Sequence, residues 1–250
     1  MAHEFNELRP PVPGVRRFSH ERWPSFADCA PSGRIRLDAL ACWLQDVAYA
    51  DVADAGLATA AVWVVRRTRI RVQRFPRFGE RFRLTTFCSG FGRMWAERRT
   101  DVARAEVGPG DDPPDVEAVS LWVHLDPANW RPVPLSRREI EVYVGEALKR
   151  RVNARLRHPA AGRVADGAVP WTFRATECDI AGHVNNAAYW QPLEEELLAG
   201  PDPEQIDVEV EYRAPAQPGT KRIVRENEWR WILGQDDELH ASIAVAPSRV

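Results

Sequence analysis

The sequence is poor in lysine, in cysteine and in long apolar runs, and each scarcity excludes a class of protein. Four cysteines are widely spaced without a Cys-x-x-Cys pair, which excludes a dense disulfide framework and favours free thiols in a reducing compartment. The longest central uncharged run, Ala55 to Val65, is far shorter than the roughly 20 apolar residues of a membrane span. The first ten residues carry no apolar leader. We therefore expect a cytoplasmic protein without a membrane span.

Acidic and basic residues are nearly equal in number, but almost all of the basic residues are arginine. In 250 residues there are 34 basic and 36 acidic side chains, and only Lys149 and Lys221 are lysines. The near-zero net charge argues against a nucleic-acid partner. The arginine excess has two explanations that the sequence leaves open: a genome rich in G and C, or rigid donors that face an anionic partner. A hydrophobic content of 44% predicts a folded chain with one large or two small domains.

The chain contains an internal repeat. When it is laid over itself so that Cys29 meets Cys178, Gly33 meets Gly182 and the apolar positions of the following segments stay in step. Further on, the stretch ending in Gly79 parallels the stretch ending in Gly219, and a strand-like run follows each. The same three features in the same order indicate a duplicated unit.

Each copy predicts a helix followed by antiparallel strands. Apolar residues from Leu37 to Val52 recur at helical spacing and end near Gly56, and a counterpart runs from about Asn186 to Gly200, with Pro192 marking a kink or a restart. Alternating residues then predict half-buried strands. The fold class is α+β, with two tandem units that each wrap an antiparallel sheet around a long central helix. We assign residues 1–135 to the first unit, 136–169 to a linker with a possible surface helix, and 170–250 to the second.

The densest polar cluster precedes the second predicted helix. Asp179 and His183 flank a turn at Gly182, where one side chain can activate water or attack and the other can orient or protonate. Backbone N–H groups near Gly182 to Val184 can stabilise an oxyanion, and Asn185 or Asn186 can cap the helix or bind water or substrate. A polar turn that only caps a helix remains the alternative. The first copy has Ala30 and Arg34 at the places of Asp179 and His183.

The sequence resembles the acyl-acyl-carrier-protein (acyl-ACP) thioesterases, which are built as tandem hotdog domains. The resemblance covers about Val15 to the C-terminus. It is carried by these segments, in order: Gly33-Arg34, Leu44 to Ala48, Trp63 to Thr68, Ala96 to Arg99, Ser120 to Val123, Asp179 to Asn186, and Glu209 to Tyr212. It implies hydrolysis of a fatty acyl thioester on carrier-protein phosphopantetheine, which releases the fatty acid and ends chain elongation.

The resemblance also implies site residues, and the chain departs from the plant pattern at three positions. Asp179 and His183 match the family's acid and histidine. Ala181 stands where plant enzymes have Asn, and Pro215-Ala216 stand where they have a Glu-Cys pair. Three alternatives follow: a reduced Asp/His set suffices, as in simpler hotdog enzymes; Asn185, Asn186 or Glu195 supplies a missing role; or the activity is weak. We expect Asn185 to act with Asp179 and His183, and Gly182, Val184, Asn186 and Glu195 to position substrate or oxyanion.

The predicted partner is an acylated carrier protein. Carrier proteins are acidic, so exposed arginines would dock them; the candidates are Arg67, Arg69, Arg71, Arg150 and Arg151. No His/Cys cluster has metal-ligand spacing, and we expect no metal or cofactor. Trp43, Trp63 and Trp190 are candidate walls of an acyl tunnel. The alternatives are an acyl-CoA thioesterase of the same fold and a catalytically silent acyl-binding protein. The sequence leaves open whether the chain is a monomer or a homodimer.

Overall fold

A single antiparallel sheet of ten strands dominates the structure, a computed structural model that describes residues 3–58, 62–108, 112–145, 147–161 and 167–246. The strands of the first half are β1 (Arg17–Arg22), β2 (Val62–Val72), β3 (Phe82–Phe91), β4 (Trp95–Arg104) and β5 (Val116–Leu125). Those of the second half are β6 (Val169–Phe173), β7 (Ile206–Tyr212), β8 (Gly219–Glu226), β9 (Trp229–Leu233) and β10 (Leu239–Val245). The predicted α+β class with an antiparallel sheet is confirmed.

The strand order repeats from one half to the other. Read from edge to edge it is β1-β3-β4-β5-β2-β7-β10-β9-β8-β6. From the centre outwards, each half therefore presents its second, fifth, fourth, third and first strand. The halves join where β2 pairs with β7, in a register from Arg67 with Glu211 to Val72 with Ile206. The two halves of the chain thus share one strand order.

The helices of the two halves differ in length. Helix α1 (Leu37–Asp54) has 18 residues and buries Leu40, Leu44 and Val47 in the core. In the second half a 3-10 helix, Asn186–Trp190, precedes an α-helix of eight residues, α3 (Gln191–Leu198). Pro192 lies in the first turn of α3, where the missing N–H of proline costs no hydrogen bond. The second helix thus restarts at proline and is shorter than the predicted long helix.

The connecting segment is less helical and more buried than predicted. Its helical part consists of α2 (Arg137–Glu139) and one π-helical turn, Ile140–Val144, with Glu139, Tyr143 and Val144 buried. The chain then runs extended from a bridge between Arg151 and Phe91 of β3 to Arg157, whose N–H donates to Glu211 of β7. No helix in the described part of the chain has the length and apolarity needed to cross a membrane.

Candidate active site

The turn before the Asn186–Trp190 helix is closed by its own backbone. The N–H of Asp179 donates to the carbonyl of His183 at 3.0 Å, and the N–H of Gly182 donates to the carbonyl of Asp179 at 3.0 Å. Gly182 has φ of +76°, and a Cβ there would meet only open space. Glycine is therefore favoured at this position by its positive φ and not by a lack of space for a side chain. The first half repeats this turn, with Gly33 at φ +85°.

The Asp179 carboxylate is held by two donors. Oδ1 accepts the N–H of Ala181 at 2.9 Å, and Oδ2 accepts Nδ2 of Asn185 at 3.1 Å. Asn185 also caps the following helix, because its Oδ1 accepts the N–H of Ala187 at 2.8 Å. The predicted cap and the predicted partner of Asp179 are thus one residue.

Gln45 is the site residue that sequence reasoning missed. It projects from α1 of the first half and pairs its amide with that of Asn185: Nε2 of Gln45 donates to Oδ1 at 3.0 Å, and Nδ2 of Asn185 donates to Oε1 at 3.2 Å. A chain of hydrogen bonds therefore runs from Gln45 through Asn185 to Asp179. Gln45 belongs to a segment that carries the family resemblance, but no signal in that segment links it to the second half.

A cavity of about 310 Å³ opens beside this chain of hydrogen bonds. Its lining combines the polar residues Asp179, His183, Asn186 and Tyr189 with a largely apolar set from the first half, Val62 to Val65, Leu125 and Trp130. Of the tryptophans predicted as tunnel walls, only Trp63 lines this cavity; Trp43 and Trp190 are buried in the main core. The volume is at the lower end of the range of ligand pockets, about 300–1,000 Å³.

His183 faces the cavity without a fixed partner. Its side chain is half-buried, and among the described residues its ring makes no hydrogen bond. The sequence led us to expect that His183 orients Asp179. In the structure Asn185 and the Ala181 amide do this instead, so the ring is free to meet a bound molecule.

The donors expected at Gly182 and Val184 are already engaged. The Gly182 amide closes the turn, and the Val184 amide donates to the carbonyl of Ala216 at 3.0 Å. Both are therefore wrong as oxyanion donors in this geometry. Within the described residues, the backbone amides of His183 and Asn186 form no backbone hydrogen bond.

Tyr189 offers a further donor to the cavity. Its hydroxyl oxygen accepts the Ala216 amide at 2.8 Å, and the hydroxyl proton has no acceptor in the described part of the chain. Burial raises the pKa of Tyr189 to about 12, the Ala216 hydrogen bond opposes this, and the nearby charge of Asp179 adds to it. The phenol therefore stays protonated and can donate. Ala216 contributes here through its backbone amide rather than through its side chain.

Glu195 does not reach the site. It is exposed on α3 and lies outside the cavity lining, so its predicted positioning role is wrong. Its neighbour Glu194 is buried and accepts the N–H of Leu37 at 2.9 Å. Glu194 also pairs with Arg34 at 2.8 Å, and Arg34 contacts Asp202 at 2.8 Å. Arg34 thus fills, in the first half, the place that His183 has in the second.

Most arginines predicted to dock a partner are paired within the protein. Arg67 is buried between Glu209 and Glu211, and Arg69 contacts Asp207 at 2.6 Å. Arg71 pairs with Glu117, and Arg150 pairs with Glu97. These four are therefore unsuited to bind a partner directly. Arg151 differs, because it is exposed and stacks on Phe91 with its guanidinium carbon 4.2 Å from the ring centre.

Part of the chain matches a known family model, and a relative covers most of its length. Residues 21–143 match the family model described as the acyl-ACP thioesterase N-terminal domain. An uncharacterized protein of Mycobacterium tuberculosis is 26% identical over 212 residues, which cover 81% of this chain and 82% of that protein.

Solved structures of thioesterases share the fold. A Lactobacillus plantarum protein assigned as an oleoyl thioesterase is 21% identical, with a TM-score of 0.75 over 93% of this chain and 96% of that chain. The acyl-ACP thioesterase of Bacteroides thetaiotaomicron is 18% identical, with a TM-score of 0.72 over 92% and 96%. The 12:0-ACP thioesterase of Umbellularia californica is 17% identical, with a TM-score of 0.69 over the same shares.

Proposed function

We propose that the chain, whose residues 21–143 match the family model of the acyl-ACP thioesterase N-terminal domain, hydrolyses the thioester of fatty acyl-ACP, releases the fatty acid and so ends chain elongation. The observation that carries the proposal is the Asp179 carboxylate, held by Asn185 and the Ala181 amide at the edge of a cavity with an apolar wall. An acyl thioester needs both parts: a polar edge for the reacting carbonyl and an apolar wall for the chain.

The repeated strand order supports two tandem hotdog units, with residues 1–135 and 170–250 joined by 136–169. Only the second unit carries an acid and a histidine at the turn. In the first, Arg34 is fully buried in ion pairs with Glu194 and Asp202. Removing either partner of a buried ion pair leaves an unpaired buried charge, which lowers folding stability. The first unit therefore serves as a structural partner that supplies Gln45 to the active one.

The reaction follows from the positions of three groups. The acyl chain lies along Val62 to Val65, and the thioester carbonyl accepts a hydrogen bond from the Tyr189 hydroxyl as negative charge develops on the carbonyl oxygen. Asp179 takes a proton from water as the water oxygen bonds to the carbonyl carbon, or the carboxylate attacks that carbon itself. The C–S bond then breaks, and His183 protonates the departing sulfur. Where the Asp179 carboxylate has attacked, water then hydrolyses the acyl anhydride, which releases the fatty acid and restores the carboxylate.

A carrier protein would meet the chain next to this cavity. Arg151, Arg155 and Arg157 are exposed on the extended connecting segment, and no carboxylate partner is found for them in the described part of the chain. This segment reaches the cavity edge, because the carbonyl of His158 accepts Arg213, which lines the cavity. An acidic carrier protein placed here would be steered by these charges.

The decisive experiment compares the hydrolysis of one acyl chain carried by two different thiols. Purified enzyme is given the same acyl group on carrier protein and on coenzyme A, and the released fatty acid is measured. We expect higher kcat/KM with the carrier protein, and a selective loss of that advantage in an Arg151→Glu, Arg155→Glu, Arg157→Glu variant. Equal or higher activity on coenzyme A would make the protein an acyl-CoA thioesterase. Tight acyl binding without released fatty acid would make it a silent acyl-binding protein.

A further inference from the structure

Two histidines and a carboxylate meet on the sheet outside the active-site cavity. They come from three distant parts of the chain: His3 from the N-terminal segment, His158 from the connecting segment and Glu209 from β7. Nε2 of His3 lies 3.1 Å from Oε1 of Glu209, and Nε2 of His158 lies 3.4 Å from the same oxygen. None of the three lines the cavity, and the proposed reaction does not use them.

The spacing suits a tetrahedral metal ion. The candidate ligand atoms of the three side chains all lie within 4.8 Å of one another. Zinc binds histidine nitrogen at about 2.0–2.1 Å and carboxylate oxygen at about 2.0–2.2 Å, so neighbouring ligands of a tetrahedral site are about 3.3 Å apart. The two nitrogen–oxygen distances bracket that value. Hydrogen bonds have similar lengths, so the surroundings of the cluster must decide whether it is a metal site or a hydrogen-bonded group.

The surroundings resemble the outer shell of a metal site. Nδ1 of His158 lies 2.9 Å from the hydroxyl of Ser242, the kind of contact that fixes the ring of a metal-bound histidine. If Nδ1 carries the proton, Nε2 presents a lone pair to a carboxylate oxygen, and a cation between them relieves the repulsion. The second oxygen of Glu209 accepts the N–H of Asn6 at 3.0 Å, which orients the carboxylate.

The buried charges also favour an added cation. The side chains of His158 and Glu209 are at most 1% exposed, and the ring of Trp229 packs 5.0 Å from both histidine rings. Arg67 is the one fully buried cation near the two buried carboxylates of Glu209 and Glu211. Arg213, which is about one third exposed, pairs with Glu211 and offsets part of the excess negative charge. Among the fully buried groups one negative charge is left over.

We propose that His3, His158 and Glu209 bind one divalent transition-metal ion of the zinc type, with water in the fourth position. Two imidazoles and a carboxylate are ligands that suit zinc, and a site of three protein ligands leaves one position open. The ion would join the N-terminal segment and the connecting segment to the central strand β7. Its role is structural, because the cluster lies outside the cavity.

Cobalt titration tests the site, because tetrahedral Co²⁺ absorbs visible light where Zn²⁺ is silent. The full chain is used, with its own N-terminus and an affinity handle free of histidine, after treatment with a chelator. We expect one equivalent of Co²⁺ to bind with a tetrahedral spectrum, Zn²⁺ to displace it, and the melting temperature to rise when either ion is added.

Three variants make the test specific. His158→Asn and His3→Asn should each weaken Co²⁺ binding at least tenfold, and neither should gain thermal stability from Zn²⁺. His3 is near the end of the chain, so its variant decides the question if His158→Asn fails to fold. The control His20→Asn, an exposed histidine on β1, should bind like the wild type. No stoichiometric binding by the wild type, or binding as tight as the wild type by both ligand variants, would show that the cluster is held by hydrogen bonds alone.

Discussion

Gln45 provides the most informative test of the site, because it lies in the other half of the chain and touches no proposed substrate position. The perturbation is Gln45→Leu, which has similar size and removes both amide groups. It deletes the hydrogen bonds of 3.0 and 3.2 Å to Asn185. Asn185 keeps its cap contact with Ala187 and its contact with Asp179, but one of its N–H groups loses its partner.

The size of the effect follows from the two lost bonds. A hydrogen bond between neutral groups contributes about 0.5–1.5 kcal/mol net, so the pair contributes about 1–3 kcal/mol. If all of this energy holds Asp179 in its reactive position, the upper limit is about a 100-fold loss of rate, since about 1.4 kcal/mol corresponds to a factor of ten. Part of it will appear as lower folding stability instead. We therefore expect kcat to fall about tenfold, with KM nearly unchanged.

The assay is steady-state release of fatty acid, with urea unfolding measured in parallel. The matched control is Glu194→Gln, since Glu194 occupies the place of Gln45 in the repeat and supports the turn of the inactive half. It should lower stability but leave kcat within twofold of the wild type. A double-mutant cycle of Gln45→Leu with Asn185→Ala should show non-additive losses in kcat. Wild-type kcat in Gln45→Leu, or strictly additive losses, would refute the positioning role.

Four further predictions test the reaction and the fold. Asp179→Asn should lower kcat by about 10²–10⁴-fold without changing the urea midpoint. Cys178→Ala should keep full fatty-acid release, because the reaction proposed here uses no thiol. Arg34→Ala should destabilise the protein by about 3–5 kcal/mol in urea, because it leaves Glu194 buried without its cation. Burial lowers the pKa of His240 below its usual 6.5. The unfolded chain therefore binds more protons than the folded one, and folding stability should fall as pH falls below 6.5. In His240→Gln the urea midpoint should fall less over the same pH range.

Local patterns predicted the framework of the fold because they depend on near neighbours. The alternation in β2 and β7 marked half-buried strands, and the repeat around Cys29 and Cys178 anticipated the shared strand order. Pro192 correctly marked a restart, since proline can only be accommodated in the first turn of a helix. What the pattern missed is that the segment before Pro192 forms a 3-10 helix, so the second half lacks the long helix of the first.

Contacts between the halves were beyond the reach of these patterns. Asp179, His183 and Asn185 were identified because they share one turn, whereas Gln45 reaches that turn from α1. The arginines of β2 were predicted to face a partner, because alternation distinguishes two faces of a strand but does not show which face another segment covers. In the structure the N-terminal and connecting segments contribute to that cover: Arg69 donates to the backbone of Asn6, and Arg67 to that of Arg155. The histidine cluster with Glu209 arises from the same long-range packing.

The two halves of the repeat hold their turns in the same way, but with charged side chains in the first half and neutral ones in the second. In each half the turn is held by a side chain from the helix of the other half: Gln45 reaches Asn185, and Glu194 reaches Arg34 and the Leu37 amide. In the first half both partners, Arg34 and Glu194, are charged and attract each other. In the second half both partners, Gln45 and Asn185, are neutral amides, and Asn185 donates a hydrogen bond to Asp179 without placing a second charge beside it. A carboxylate at position 45 would place a second negative charge near the Asp179 carboxylate, whereas the neutral amide of Gln45 orients the acid through Asn185 without adding charge.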